Sequence, residues 1–510
     1  MNGGPNVRIA LLQPEYKQAD RRFNTLAAEK LLKQASEMGA HVAALSDPKT
    51  LKPELVALNG ASLSGDSIVT LCYGDEECKF ATDVDASENT CAGASYCDAI
   101  LSASCAGPWT ETGHVAPAQT GLSIPVIETA YVGMENQGKC VTSHSGGAGI
   151  WLDGQRVAGL NENFEPAVDV FGLNHEKAAN EHADIEQADI LDALVYSIRA
   201  FDSDVLGNAP WIIGLSGGLD SSVVAGLLTL AVGAKNVRAY NLATRFNSAE
   251  TKSAASHLAS SLGISLRSGT IEPLVEETMH VAEDYGYPRS ALEGLVGENV
   301  QARIRGHMLS TFAAIEGGVV VNNGNKVEAA LGYATLYGDA IGALAPIGDL
   351  AKVKLFSLAR TINERFGRDV IPNALLPRET DEGYEWELMP SAELSDRQRD
   401  PMKWFYHDWL VEQLKSCADE TLEDLLAHYA KNKFVDTEIA KWIAFYGLDD
   451  PNTFVEDFEW VVRSMKRAAF KRIQSPPVVK VSGDSAIEEI QGAWHTSERY
   501  KDLRRCILQA

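Results

Sequence analysis

Positive charge is what this chain lacks most: 45 lysines and arginines stand against 70 acids, a formal charge of −25 over 510 residues. A nucleic-acid surface needs a basic stripe, so this balance excludes that partner, and any phosphate the chain binds must meet local donors. No stretch approaches the ~20 apolar residues that span a bilayer. The opening MNGGPNVRIALLQPEY also lacks the charged start and small-residue cleavage site of a secretory signal. Together these absences exclude a membrane partner and point to the cytoplasm. Cysteine is thin as well, eight in all, gathered mainly at Cys72, Cys78, Cys91, Cys97, Cys105 and Cys140 without a close CxxC pair, so reduced thiols are expected. What remains is ordinary for a globular protein, 45% apolar and 23% charged, and long enough for two or three domains.

The most informative stretch is Ala209-Pro210-Trp211-Ile212-Ile213-Gly214-Leu215-Ser216-Gly217-Gly218-Leu219-Asp220-Ser221-Ser222. An apolar run of the kind buried in a parallel sheet breaks into a glycine-rich turn, and helical spacing follows Asp220. Gly217 and Gly218 let the backbone approach a ligand, and the free N–H groups of the first helical turn make an anion site. The Gly-Lys-Ser/Thr ending of a Walker loop and the wider dinucleotide spacing are both missing. The hydroxyls of Ser216, Ser221 and Ser222 are expected to serve where a lysine serves elsewhere. The string SGGLDSS resembles the pyrophosphate loop of the ATP pyrophosphatases, which adenylate a substrate oxygen. An ordinary strand-to-helix turn is the plainer alternative.

From residue 211 the alternation is regular. The spacing predicts strand 211–215, helix 219–230, strand 237–243, helix 249–262, a short strand near 264–269, a long helix 298–315 and strand 318–321. That order predicts a doubly wound parallel sheet with its ligand at the carboxyl ends of the strands. Beyond Lys354 the chain reads as mostly helical. Within it, Trp404 to Trp409 is an aromatic patch for the core or a subunit contact, and 419–424 a solvated helix face.

Three further strings, ENVQAR, GNKVEAALGYATLYGD and PIGDLAK, follow SGGLDSS in order, and PSAEL and FKRIQSPP come later. Together they resemble the synthetase domain of the NAD synthetases over roughly residues 190–510. The resemblance implies that Gly214, Leu215, Ser216, Gly217, Gly218, Leu219, Asp220 and Ser221 hold ATP, with Asn323, Lys352 and Ser391 also on ATP. It implies Asp220 and Glu328 as Mg2+ ligands, and Arg303, Asp339 and Lys471 beside the dinucleotide. Two departures stand out: Asn323 replaces a threonine common in the family, and Phe470 a histidine found in some members. The implied reaction is ATP-dependent amidation of nicotinic acid adenine dinucleotide (deamido-NAD) through an acyl-adenylate. Lys352 would neutralise charge at the α-phosphate, and Asp339 would take a proton from ammonia or merely cap a turn. A homodimer or higher homo-oligomer is implied as well.

The front region reads as α/β, with strands at 7–12, 39–45, 68–75 and 97–104, a helix at 24–38 and a hairpin around Asp153-Gly154. It resembles the nitrilase-type amidase domain that serves glutamine-dependent members as glutaminase, with Cys72 where the nucleophile would lie. The candidate acids Asp47 and Glu54 precede Cys72 by only 25 and 18 residues, which leaves no room for the segment carrying the lysine. A shortened, degenerate domain over 1–173, a connector over 174–189 and the synthetase-like domain over 190–510 are therefore expected. Ammonia, supplied free or by a separate glutaminase, becomes the expected nitrogen source. Two rivals stay open: an amide ligase acting on another carboxylic acid, and a non-catalytic scaffold or binding remnant.

Overall fold

A computed structural model describes residues 7–82, 97–102, 106–113, 124–173, 187–247, 249–380, 383–387, 401–414, 419–434, 437–483 and 496–509. The chain divides into two compact units, residues 1–137 with 141–204, and residues 138–140 with 205–510. Most of the expected connector and part of the expected strand 97–104 lie outside the described residues.

In the first unit the apolar runs Arg8–Gln13 and Val42–Ser46 pair in parallel and are buried on both faces, as continuous hydrophobic strands must be. One face carries Ile9, Leu11, Val42 and Ala44 onto Leu71, Phe80, Ala99, Ile127 and Ile150. The other carries Ala10, Leu12, Ala43 and Leu45 onto Ala28, Leu31 and Ala35 of the helix Arg21–Glu37. The first core thus lies between two sheets. The smaller runs in the order Ala167–Gly172, Arg8–Gln13, Val42–Ser46, Pro53–Ala57, and the larger runs from Gln155–Gly159 through Gly149–Leu152 and Val126–Glu128 to Ser62–Ser64. The hairpin forms at Asp153-Gly154, where φ of 49° and 77° puts both residues in the left-handed region that a tight two-residue turn requires.

The helix Ile190–Phe201 belongs to this first unit, which moves the boundary from residue 190 to the step after Asp204. Its apolar face must be covered, and Leu191, Leu194, Ile198 and Phe201 are buried. Ser197 Oγ lies 2.7 Å from Ser143 Oγ, and Tyr196 stacks on Phe164 at 4.7 Å. A polar stretch in the sequence, on its own, does not separate a connector from a loop within one unit.

The second unit is built on four parallel strands: β1 (Trp211–Gly214), β2 (Val237–Ala243), β3 (Ser265–Thr270) and β4 (Val319–Val320), in the order β3-β2-β1-β4. Between them run α1 (Leu219–Val232), α2 (Ala249–Leu262), α3 (Glu272–Asp284) and α4 (Leu295–Glu316). Helix α3 is absent from the sequence reading. Ile212 faces Ala313 of α4 and Gly214 lies under Leu309, so by strand alternation Trp211 and Ile213 point to the opposite face. Strand order reverses beside β1, and at that switch point the loops leaving β1 and β4 diverge and open a crevice. The short helix α5 (Lys326–Leu331) follows β4, and α6 (Lys352–Phe366) packs on α1, where Gly226 lies beneath Ile362.

The remaining helices, beginning with α7 (Tyr406–Gln413), enclose a separate core that includes Trp404, Tyr406, Phe454 and Phe458. The aromatic patch is therefore core. The solvated reading of 419–424 fails at Glu423, which is buried against Arg499 at 3.1 Å and bonded to Ser497. Fully buried His407 accepts at Nδ1 from Lys403 N at 2.9 Å and donates from Nε2 to Asp457 at 3.0 Å, which fixes its neutral tautomer. Burial holds its pKa below the usual histidine value against the pull of Asp457. The unfolded chain gains a proton near pH ~6.5 that the folded one resists, so this contribution is complete above that pH and lost as pH falls. The urea midpoint should drop between pH 7.5 and 5.5, and less in His407→Gln; equal drops in both proteins would refute the assignment.

Candidate functional site

The crevice beside β1 is a cavity of about 360 Å³. Its floor is the expected loop. Gly217, at φ 92°, turns the chain where a side chain would be strained, and Gly218 starts α1 with no side-chain cap. Gly218 N donates to Ser216 Oγ at 3.1 Å, and the Ser216 and Ser221 hydroxyls lie 3.2 Å apart. Ser222 does not join them. Its Oγ donates to Gly218 O at 2.7 Å, as Ser221 Oγ does at 3.1 Å, but Ser221 also lines the cavity and Ser222 does not. Gly214, Leu215, Ser216, Gly218, Leu219, Asp220 and Ser221 all line the cavity.

The carboxylates and the lysine converge here across more than a hundred residues of sequence. Lys352, at the start of α6, places Nζ 2.7 and 2.8 Å from the two oxygens of Asp220 in the first turn of α1. Its ammonium also lies 5.8 Å from the Trp404 ring centre. Asn325 Nδ2 reaches Asp220 at 3.2 Å, while its backbone N–H donates to Glu328 at 3.0 Å. Asn325 and Glu328 cap α5 reciprocally. Asn323 donates from Nδ2 to Gly214 O at 2.9 Å, and its Oδ1 is buried without a partner.

At the other end of the cavity stands Asp339. Water reaches its side chain from within the cavity, yet the enclosing protein still pushes its carboxyl pKa upward, while a bond from Thr335 N at 2.5 Å and the charges of Lys471 and Arg305 pull it back. The turn-capping role is therefore real, and it coexists with a place on the cavity wall. Lys471 donates to Gly332 O at 2.7 Å and Ala334 O at 2.6 Å, and burial holds its pKa down. Arg303 does not line the cavity; it is exposed on α4, and Arg305 lines the wall instead, bonded to Leu242 O at 3.1 Å. Behind Arg305, Gly306 meets the backbone of the loop carrying Asp339. A Cβ there would sit 2.5 Å from Gly338 O, so no side chain fits. Ser391 lies outside the described residues.

Sequence reading missed Arg305, Asn325 and the β2 residues Tyr240 to Ala243 on the cavity wall. Asn325 had a readable signal, an Asn three residues ahead of a Glu. Nothing local distinguishes Arg305 from Arg303.

In the first unit the glutaminase candidates do not assemble. Cys72 lies in the strand Ile68–Tyr73 opposite Ser62 and Glu77; Leu71 fills the core between the sheets, so Cys72 points to the outer face. Asp47 accepts from Lys49 N, Thr50 N and Thr50 Oγ1, and Glu54 lies beside it, its pKa raised by burial and by Asp47. Glu54 lines a cavity with Lys52, Thr82 and Ser102, but Cys72 does not.

Residues 202–443 match the NAD synthase family model. Among curated proteins, the glutamine-dependent NAD(+) synthetase of Xanthomonas campestris is 32% identical over 270 residues, 53% of this chain and 43% of that protein. That of Thermotoga maritima is 34% identical over 212 residues, 42% of this chain and 35% of its own length. These matches thus span less than half of either relative. Two solved structures share the fold along nearly the whole chain. The glutamine-dependent NAD+ synthetase of Acinetobacter baumannii in complex with ADP has a TM-score of 0.59 at 18% identity, covering 97% of this chain and all of that one. The glutamine-dependent NAD(+) synthetase of Cytophaga hutchinsonii has 0.62 at 13%, covering 98% of this chain and again all of its counterpart. The α/β architecture, with its helical C-terminal region, thus shares the fold of these two solved structures along nearly the whole chain. The family-model match over residues 202–443 takes in the whole of the four-stranded parallel sheet and most of the lining of the crevice beside β1.

Proposed function

We propose that this protein converts nicotinic acid adenine dinucleotide to NAD with ATP and free ammonia. The observation that carries the reading is the convergence of Asp220, Glu328 and Lys352 on the uncapped start of α1. A carboxylate cannot lose oxide to ammonia, so it must first be activated. Its oxygen attacks the α-phosphorus of ATP, the bond to the β-phosphate oxygen breaks, and pyrophosphate leaves with the electron pair. Ammonia then attacks the acyl carbon, AMP departs, and the surplus proton passes to a base. Loop amides, the Ser216 and Ser221 hydroxyls and Lys352 supply donors where phosphate charge develops. Asp339, a carboxylate on the cavity wall that water reaches, is placed to receive the proton.

Asp220 and Glu328 are hard oxygen donors on either side of Asn325, the one or two carboxylates that suit a magnesium ion held chiefly by phosphates and water. When bound, that ion would screen charge on the departing pyrophosphate. Free ammonia is preferred because Cys72 lies on an outer sheet face, apart from the cavity that holds Glu54. The resemblance further carries a homodimer or higher homo-oligomer in the cytoplasm, which sedimentation and fractionation would test.

Pyrophosphate release with ATP, Mg2+ and nicotinic acid adenine dinucleotide, run with ammonium and separately with glutamine, tests the reading. Turnover is expected with ammonium, unchanged in Cys72→Ala. Glutamine-driven turnover that disappears in Cys72→Ala would overturn the ammonia assignment. Silence with both nitrogen sources would transfer the same chemistry to a different acid.

A further inference from the structure

Helix α7 lines no part of the cavity, yet it carries two carboxylates at i and i+4 that touch the first residues of both functional helices. Asp408 is buried, and its Oδ1 accepts from Lys352 N at 2.8 Å. Helix α6 has no side-chain cap of its own, so this distant carboxylate satisfies a backbone donor in its first turn. The other oxygen accepts from Phe405 N at 2.7 Å, closing the start of α7 itself. One carboxylate therefore ties two helix starts together. Phe405 is held at φ 68°, a conformation a bulky residue keeps only where its surroundings fix it, and its ring stacks on Trp442 at 4.1 Å.

One turn further on, Glu412 Oε1 lies 2.5 Å from Lys326 Nζ at the start of α5. Lys326 is buried, its second acid is Asp349 at 3.4 Å, and its backbone N–H donates to Leu350 O at 2.9 Å. Glu328 follows two residues later on the same short helix. Asp349 in turn stands three residues before Lys352. The two carboxylates of α7 thus reach both sides of the crevice from behind.

We propose that α7 is a positioning element, in which Asp408 sets Lys352 and Glu412, through Lys326, sets Glu328. The inference rests on the amidation reading only for the chemical roles of Lys352 and Glu328. Asp408→Asn keeps the shape but turns one acceptor into an NH2 group facing a backbone N–H, so one of the two helix starts must shift. Asp457→Asn is the control: Asp457 is another buried carboxylate of the same helical core, bonded to His407 and Lys403 and not to Lys352.

The experiment compares thermal melting, calorimetric binding of AMP-PNP over a magnesium series, and the kcat and KM of amidation, in the full chain. Loss of a group that orients a metal ligand typically costs 10–100-fold; by analogy for Lys352, Asp408→Asn should weaken AMP-PNP or lower kcat by about tenfold or more, with KM for the acid substrate nearly unchanged. Glu412→Gln should fold and raise the magnesium concentration for half-maximal AMP-PNP binding several-fold. Asp457→Asn should lower the melting temperature and leave both readouts of the folded protein alone. Asp408→Asn behaving like Asp457→Asn would overturn the proposal. If Asp408→Asn does not fold, Glu412→Gln decides, and an unchanged magnesium dependence refutes it. Wild-type protein that binds AMP-PNP but does not amidate would refute the substrate reading, while the binding arm still tests α7.

Discussion

Replacing Lys352 with methionine is expected to lower kcat for ATP-dependent pyrophosphate release by about 10²–10³-fold, the usual cost of deleting one donor aimed at charge that develops in the transition state. Methionine keeps most of the side-chain volume and replaces the ammonium beside the Trp404 ring with an apolar, polarisable thioether, so packing around α6 should survive. What disappears is the ammonium held between two oxygens of Asp220 at 2.7 and 2.8 Å. Asp220 keeps Asn325 as a partner at 3.2 Å, so the carboxylate is not stranded. A kcat within threefold of wild type would remove Lys352 from the chemistry. A parallel rise in KM for ATP without loss of kcat would assign it to ground-state binding instead.

The second large effect is on stability and falls on the neighbouring lysine. Lys326→Met leaves Asp349 buried without its cation, and removal of one partner from a buried ion pair typically costs about 3–5 kcal/mol. Asp349 is compensated to a degree, since it accepts from Val481 N at 3.0 Å and Ser482 N at 2.8 Å. Those bonds hold the segment after residue 478, so the loss should spread to that segment. Denaturant melts of the variant should show a lower midpoint, and hydrogen exchange should report faster opening near 478–482. A midpoint equal to wild type would mean that the two acids and their hydrogen bonds suffice without the lysine.

The two lysines mark how far the sequence could be read. Lys352 and Asp220 stand in motifs whose residue types announce phosphate chemistry, so each is assignable alone; their salt bridge joins positions 132 residues apart and has no local signal. The β1 turn was legible because an unbroken apolar run, two glycines and a helical repeat agree on one conformation. Helix α3 was overlooked although a proline near its start is a recognised opening signal, since only Val275 and Met279 of it are buried and its periodicity is faint. At Glu423 the acid-rich run suggests solvent, and nothing in the run reveals Arg499 in the last helix or Ser497 just before it. Asp408 is the extreme case. Its local context is an aromatic helix, and its partner lies 56 residues away.

The contact of Gly306 with Gly338 bears on how the site can move. Where two backbones touch with no side chain between them, no change of rotamer can absorb a relative shift, so α4 and the loop reaching Asp339 are expected to move together. Arg305, the residue just before Gly306, moves with them. A sliding or tilting of α4 therefore carries the guanidinium and the acid together and preserves the gap between them, while the distance from both to the β1 loop changes. Adjustment to a bound substrate at this end of the crevice would then be a matter of how far the jaw stands open, with the pattern of charge on its face left unaltered.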